Sequence, residues 1–200
     1  MTLRRAAWIL VGLAGVCLLL LAVWRLGGAV TPPNAPIKIG GPFQLVDQNG
    51  RAVDQGILKG KWSAVFFGYT YCPDVCPTTL QTLATAEQGL GARAKDFQVI
   101  FVTVDPVRDT PSQLKAYLSS DSFPKGAIGL TGRADQIAAV TRAYGVYFQK
   151  QGTGPDYSVN HSSAIYVMNP NGAYDSVIGA GLTPDQTRQA ILRAMNGGSA

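Results

Sequence analysis

Gly68-Tyr69-Thr70-Tyr71-Cys72-Pro73-Asp74-Val75-Cys76-Pro77 is the stretch on which the reading of this chain turns. The mostly apolar run Trp62 to Phe67 precedes it, and a helix-like segment, Thr78 to Leu90, follows. Two thiols four positions apart therefore sit on a strand-to-helix turn. There they can chelate a soft metal or close a disulfide.

Outward from this turn, strands and helices alternate. Trp62 to Tyr69 and Phe97 to Val104 are apolar runs of strand length, as expected of strands buried on both faces. Pro77 suits the first turn of a helix, and Leu80, Leu83, Ala84, Ala86 and Leu90 continue at roughly helical spacing. Thr110-Pro111-Ser112 caps a short helix to about Leu118, and Ala127 to Thr131 is a short strand. A helix spans Ala134 to Tyr144 and ends at Gly145. Thr183 caps a last helix running to Met195. Phe43 to Asp47 and Arg51 to Val53 flank the turn-forming Asn49-Gly50 as an N-terminal hairpin. Tyr147 to Lys150, Ser163 to Met168 and Ala173 to Ile178 read as further strands, with His161 in the loop just before Ser163 to Met168. Right-handed crossovers make the central strands parallel, and the closing hairpin makes the sheet mixed. The succession resembles a three-layer, thioredoxin-like α/β domain over about residues 37–196. Ligands in such sheets gather at the carboxyl ends of the strands, where both the cysteine turn and Asp105 fall.

With 46% hydrophobic and 14% charged residues, 200 residues can fill one globular domain with a core. Ala6 to Trp24 carries no charge and is flanked by Arg4, Arg5 and Arg25. It is long enough for a transmembrane helix, and the arginine bias keeps the N-terminus cytoplasmic. The expected organisation is an anchor over 1–26, a Pro/Gly-rich tether over 27–36 and the domain over 37–196. The expected place is the inner membrane, single-pass, with the domain facing the periplasm or an equivalent side. A cleaved signal peptide, with Gly27 and Ala29 before the cut, is the rival. Cys17 fits as an apolar residue of the span, since Val16 is too bulky to precede a lipidated cysteine. Net charge is +5, but the three anchor arginines account for most of the excess, leaving 14 basic against 12 acidic residues. There is no basic cluster beyond them, which excludes nucleic acid as the partner.

Outside the span remain Cys72, Cys76 and a single histidine, His161. A disulfide across so short a loop removes little unfolded-state entropy, so a structural staple explains the pair poorly. Cys76 lies near a helix N-terminus, where N–H groups and the helix dipole favour a thiolate. Two small buried hydrophobes are the bland reading of the pair, and a structural histidine that of His161. Together, two thiolates and an imidazole make a three-ligand set suited to copper. Zinc would prefer a fourth ligand, for which Asp74 or Asp105 could supply an oxygen. Asp105 and Arg108 either shape the loop facing the site or form a plain loop ion pair.

The cysteine stretch, Val104-Asp105-Pro106-Val107-Arg108-Asp109-Thr110-Pro111 and Val159-Asn160-His161-Ser162 together resemble the Sco/SenC family. Those proteins are membrane-anchored copper chaperones with a thioredoxin-like fold. The resemblance implies that Cys72, Cys76 and His161 ligate Cu(I) or Cu(II). It also implies delivery to the binuclear CuA centre of cytochrome c oxidase subunit II, with other copper chaperones as further partners. Two positions depart from the family pattern: Tyr71 stands where bacterial relatives often have histidine, and Asn160 where aspartate is usual. Loss of that carboxylate removes a group that could orient His161. A second function is thiol–disulfide exchange by a redox-active Cys72/Cys76 pair, reducing target cysteines before metal insertion. Its four-apart spacing departs from the thioredoxin C-x-x-C. A peroxiredoxin-type peroxidase would need threonine where the chain has Tyr69.

Overall fold

In the computed structural model, which describes residues 3–26 and 39–197, the apolar run ahead of the cysteines is the central strand β3, Trp62–Gly68. Every residue from Ser63 to Gly68 is buried, as it must be with helices on both sides. On one side β3 pairs in parallel with β4, Phe97–Thr103, which pairs in parallel with β5, Ile128–Thr131. On the other it pairs antiparallel with β8, Ile165–Met168, and β8 with β9, Tyr174–Ile178.

The hairpin β1, Gln44–Asp47, and β2, Ala52–Asp54, completes a seven-stranded mixed sheet in the order β2-β1-β5-β4-β3-β8-β9. The Asp47 carboxylate closes its turn by accepting from the Asn49 and Arg51 amides, while Gly50 supplies the left-handed backbone (φ 78°).

Successive strand residues face opposite ways, and the aromatic rings show what covers each face. Phe66 meets Phe101, which meets Tyr117 of α3, Pro111–Leu118. Phe67, pointing away, meets Tyr144 of α4, Ala134–Tyr144. On the Phe66 side, α2, Val75–Gln88, packs along α5, Pro184–Met195. The result is the expected three-layer, mixed-sheet α/β domain. Thr110 and Thr183 cap α3 and α5 by accepting from the Gln113 and Gln186 amides, and Gly145 ends α4 in the left-handed region.

One element departs from expectation. Ser158–His161, expected to be loop, is a strand, β7, paired antiparallel with β6, Phe148–Gln151, in a separate two-stranded sheet. Its only deeply buried side chain is Val159, so the two-residue period carries almost no apolar signal.

Two compact units divide between Ile37 and Lys38. The first contains α1, Leu3–Leu26, whose side chains are described at Trp8 and at 12–22. Among the described residues no helix is long and apolar enough to cross a membrane, so the anchor rests on the sequence. The expected tether, 27–36, lies outside the described residues.

Candidate metal centre

Parallel β3 and β4 both end at the same edge of the sheet, and antiparallel β8 begins there, with Ile165 opposite Phe66. That topology brings residues near positions 70, 105 and 161 together. After Gly68 the chain is held down twice: the Gly68 carbonyl accepts from the Val104 amide (2.8 Å), and the Tyr69 carbonyl from the Cys72 amide (3.2 Å). Below the turn, the buried Asp109 carboxylate accepts from the Thr70 amide and hydroxyl (3.1 and 2.7 Å) and from the Thr103 hydroxyl (2.6 Å). Desolvation in this position raises the Asp109 pKa.

Cys72, Cys76 and His161 converge here, with their candidate ligand atoms all within 4.8 Å of one another. Cys76 Sγ lies 3.5 Å from His161 Nε2. Cys76 is fully buried, whereas Cys72 and His161 are half-buried, and both cysteines are free thiols. Gly68 makes the deep position of Cys76 possible, because a Cβ there would come within 2.8 Å of its sulfur. A cleft of about 240 Å³, lined by Tyr69, Cys72, Asp74, Asn160 and His161 among others, opens the site to solvent.

The thiolate-favouring position is Cys72, not Cys76 as the helix placement suggested. Cys76 is the second residue of α2, and its amide points out of the helix end towards the Cys72 sulfur (3.5 Å) rather than its own. The Cys72 pKa is lowered, chiefly because its thiolate accepts from the Cys76 thiol and also from backbone N–H groups of Asp74 and Cys76; burial opposes this. As the donor in that pair and a fully buried group, Cys76 is pushed up.

His161 is oriented without a carboxylate. Its Nδ1 lies 2.9 Å from the Ser162 carbonyl, which can only accept, so Nδ1 carries the proton and Nε2 presents a lone pair to the thiols. Ser162 is itself fixed, its amide donating to the Tyr147 carbonyl (2.9 Å) and its hydroxyl accepting from the Tyr147 amide (3.1 Å). Tyr69 stands edge-on to the imidazole, ring centroids 5.8 Å apart. Asn160, expected to matter through a missing carboxylate, is exposed and paired across the hairpin with Gln149.

Asp105 is not free to ligate. Its carboxylate accepts from Arg108 Nε and from the Tyr157 hydroxyl (2.6 Å), so the ion pair, one of the two arrangements expected of Asp105 and Arg108, forms. Asp74 stands at the start of α2 without a capping side-chain hydrogen bond to the backbone, and its carboxylate accepts from the Thr78 hydroxyl (3.3 Å). Among the described residues the two thiols and one imidazole are the grouped donor set, a soft combination that fits copper better than a closed zinc site.

The SCO1/SenC family model matches residues 31–196. A SCO2-like protein of Rickettsia felis is 40% identical over 152 residues, 74% of this chain and 73% of its own length. The copper-bound structure of Bradyrhizobium japonicum ScoI superposes with a TM-score of 0.71 at 44% identity, covering 78% of this chain and 99% of that one. BsSco, described as carrying a disulfide switch and as a member of the Sco family of cytochrome c oxidase assembly proteins, superposes with a TM-score of 0.64 at 26% identity. That match covers 80% of this chain and 96% of BsSco. With matched residues spanning every element from β1 to α5, the chain belongs to the SCO1/SenC family.

Proposed function

We propose that this chain is a membrane-anchored copper metallochaperone. Cys72, Cys76 and His161 bind the metal, which is delivered to the CuA centre of cytochrome c oxidase subunit II. The convergence of two thiol sulfurs and one imidazole nitrogen within 4.8 Å carries the reading. The copper-bound relative supports the metal, and the oxidase-assembly role stated for BsSco supports the destination. The uncharged stretch Ala6 to Trp24 supports the anchor.

Copper is the cargo, and thiolate ligation suits its Cu(I) form. Cys72 arrives already inclined to the thiolate, Cys76 gives up its proton on ligation, and His161 offers Nε2 without losing one. The half-exposed Cys72 and His161 border the cleft, where a receiving protein's ligands can reach the site while buried Cys76 holds the inner position.

Titration of the reduced 200-residue chain with Cu(I) and Cu(II), beside C72S, C76S and H161A, tests this. Each variant is expected to lose stoichiometric binding, and full binding by H161A would overturn the three-ligand site.

The lowered pKa of half-exposed Cys72 favours a second reading, disulfide reduction in the target. The Cys72 thiolate attacks a target disulfide, forming a mixed disulfide and expelling one target thiolate. Cys76, passing its proton to His161 Nε2, then attacks Cys72 Sγ, closing Cys72–Cys76 and releasing the second target thiolate. The target is reduced by two electrons and the pair oxidised by two. Metal-free reduced chain should then convert a disulfide substrate one for one, whereas C76S should stop at the mixed disulfide.

A further inference from the structure

The strands carrying His161 belong to a sheet of their own, unpaired with the main sheet. At the root of this hairpin Ser162 is tied to Tyr147. Towards its tip Arg108, from the loop between β4 and α3, adds to the contacts made by Val159, buried in the core, and by the Tyr157 hydroxyl on Asp105. The Arg108 Cζ lies 3.6 Å from the centroid of the Tyr157 ring, just ahead of β7, and Nη1 donates to the Pro155 carbonyl (3.2 Å). The same guanidinium lies 4.7 Å from the ring centroid of Tyr71, the neighbour of Cys72, and 5.8 Å from that of Tyr69. Asp105 grips both halves at once, accepting from Arg108 Nε and the Tyr157 hydroxyl. One side chain thus touches the turn that carries the thiols, the loop after β4 and the hairpin that carries the imidazole.

We propose that Arg108 is a positioning residue for the metal centre, a clasp that docks the His161-bearing hairpin onto the Cys72 turn. Its chemistry suits the task. A planar guanidinium can stack against aromatic faces while its edge donates to a carboxylate and a carbonyl; an ammonium has no plane to stack. Arg108 Nη2 is buried and finds no hydrogen-bond partner among the described residues. The ring faces and the Asp105 charge therefore compensate the burial of this cation. Nothing else among these contacts joins Tyr71 to Tyr157, so without Arg108 the tip keeps buried Val159 and the Tyr157–Asp105 hydrogen bond but loses its link to the Cys72 turn.

The first arm of the test uses the metal-free 200-residue chain and is independent of copper. Hydrogen exchange at the Phe148–Gln151 and Ser158–His161 amides should speed up about tenfold in Arg108→Ala. The rise should be smaller in Arg108→Lys, with β3 and β4 amides unchanged in both. Tyr157→Leu, which removes the ring from the hairpin side and leaves the Asp105–Arg108 pair in place, should reproduce the pattern and guards against a folding defect in Arg108→Ala. Unchanged hairpin exchange in either variant overturns the clasp.

The second arm rests on His161 being a copper ligand. Arg108→Ala should weaken Cu(II) binding about tenfold in the native background and leave unchanged the weaker residual affinity of His161→Ala, since coupling exists only between residues that act together. An equal loss in both backgrounds overturns the positioning role. If His161→Ala alone binds copper like the native chain, it is the three-ligand reading that fails, and the exchange arm still decides the clasp.

Discussion

Replacing Gly68 with alanine tests whether packing beneath the site and the geometry of the site are one property. The backbone at Gly68 is ordinary strand, so the added methyl brings no torsional penalty, only crowding. Its Cβ would lie 2.8 Å from Cys76 Sγ in α2 and 2.8 Å from Phe101 Cε2 in β4, both on fully buried side chains. Ordinary contact begins at 3.4 Å, so the sulfur must retreat by about 0.6 Å if it takes the whole displacement. Overpacking a close-fitted core costs about 1–3 kcal/mol. For a domain of this size each kcal/mol is worth about 2–4 °C, which places the fall in Tm at about 2–12 °C. Metal–ligand distances tolerate about 0.2 Å, a third of that displacement, so copper affinity should fall in the same variant. Thermal unfolding of the metal-free chain and competition titration with a copper chelator measure the two effects. A variant destabilised as calculated that binds copper with native affinity would refute the reasoning, because Cys76 could then move without consequence for the site.

Three further outcomes follow from the geometry. Iodoacetamide at pH 6 should alkylate Cys72 of the metal-free reduced chain well before Cys76, since the lowered pKa leaves Cys72 as thiolate where an ordinary thiol is protonated; peptide mass spectrometry reads the order, and equal labelling would contradict it. Nitrogen NMR of the metal-free chain should show His161 protonated at Nδ1 and bare at Nε2, the tautomer that the Ser162 carbonyl imposes. Asp109 has a raised folded pKa, so its contribution to stability is full below the ordinary 3.8 and declines as pH rises through the folded value. The Tm of D109N should therefore fall less than that of the native chain as pH rises from 4 into the neutral range, and parallel profiles would show that Asp109 is not the group titrating.

Local rules made much of this molecule legible in sequence. Apolar runs of strand length around Val65 and Ile100, the threonine caps at 110 and 183, and glycine at 145 each state their structure within a few residues. The site was legible as a donor set because cysteine and histidine are scarce in the chain and chemically specific. The rest depends on direction and distance. Helix position alone pointed to Cys76 as the favoured thiolate, yet an amide at the helix end points towards the preceding turn, which assigns that role to Cys72. Asn160 read as the loss of a carboxylate that could orient His161; the contact its Nδ1 makes is with a backbone carbonyl one residue later, and carbonyls leave no mark in sequence. Asp105 and Arg108 read either as shaping the loop that faces the site or as a loop ion pair, and the ion pair forms. The stacking of Arg108 on Tyr71 and Tyr157 joins segments 37 and 49 residues away, beyond any local pattern.

The unequal burial of the two thiols bears on whether copper binding and disulfide exchange can share one site. Both use the same sulfurs, so they exclude each other at any instant: a Cys72–Cys76 bond removes two of the three donors at once. Exchange needs an accessible thiolate first and a protected resolving thiol second, and half-exposed Cys72 beside buried Cys76 supplies that order. Metal transfer needs an inner ligand that holds while outer ones change partners, and the same inequality supplies it, with Cys72 and His161 at the cleft and Cys76 beneath. One asymmetric pair therefore meets both demands without rearrangement, and both demand it reduced: once the Cys72–Cys76 bond closes, neither proceeds until a reductant reopens it. Mild oxidation of the metal-free chain should abolish copper binding, and a thiol reductant should restore it fully; retention of copper by the oxidised chain would separate the two chemistries.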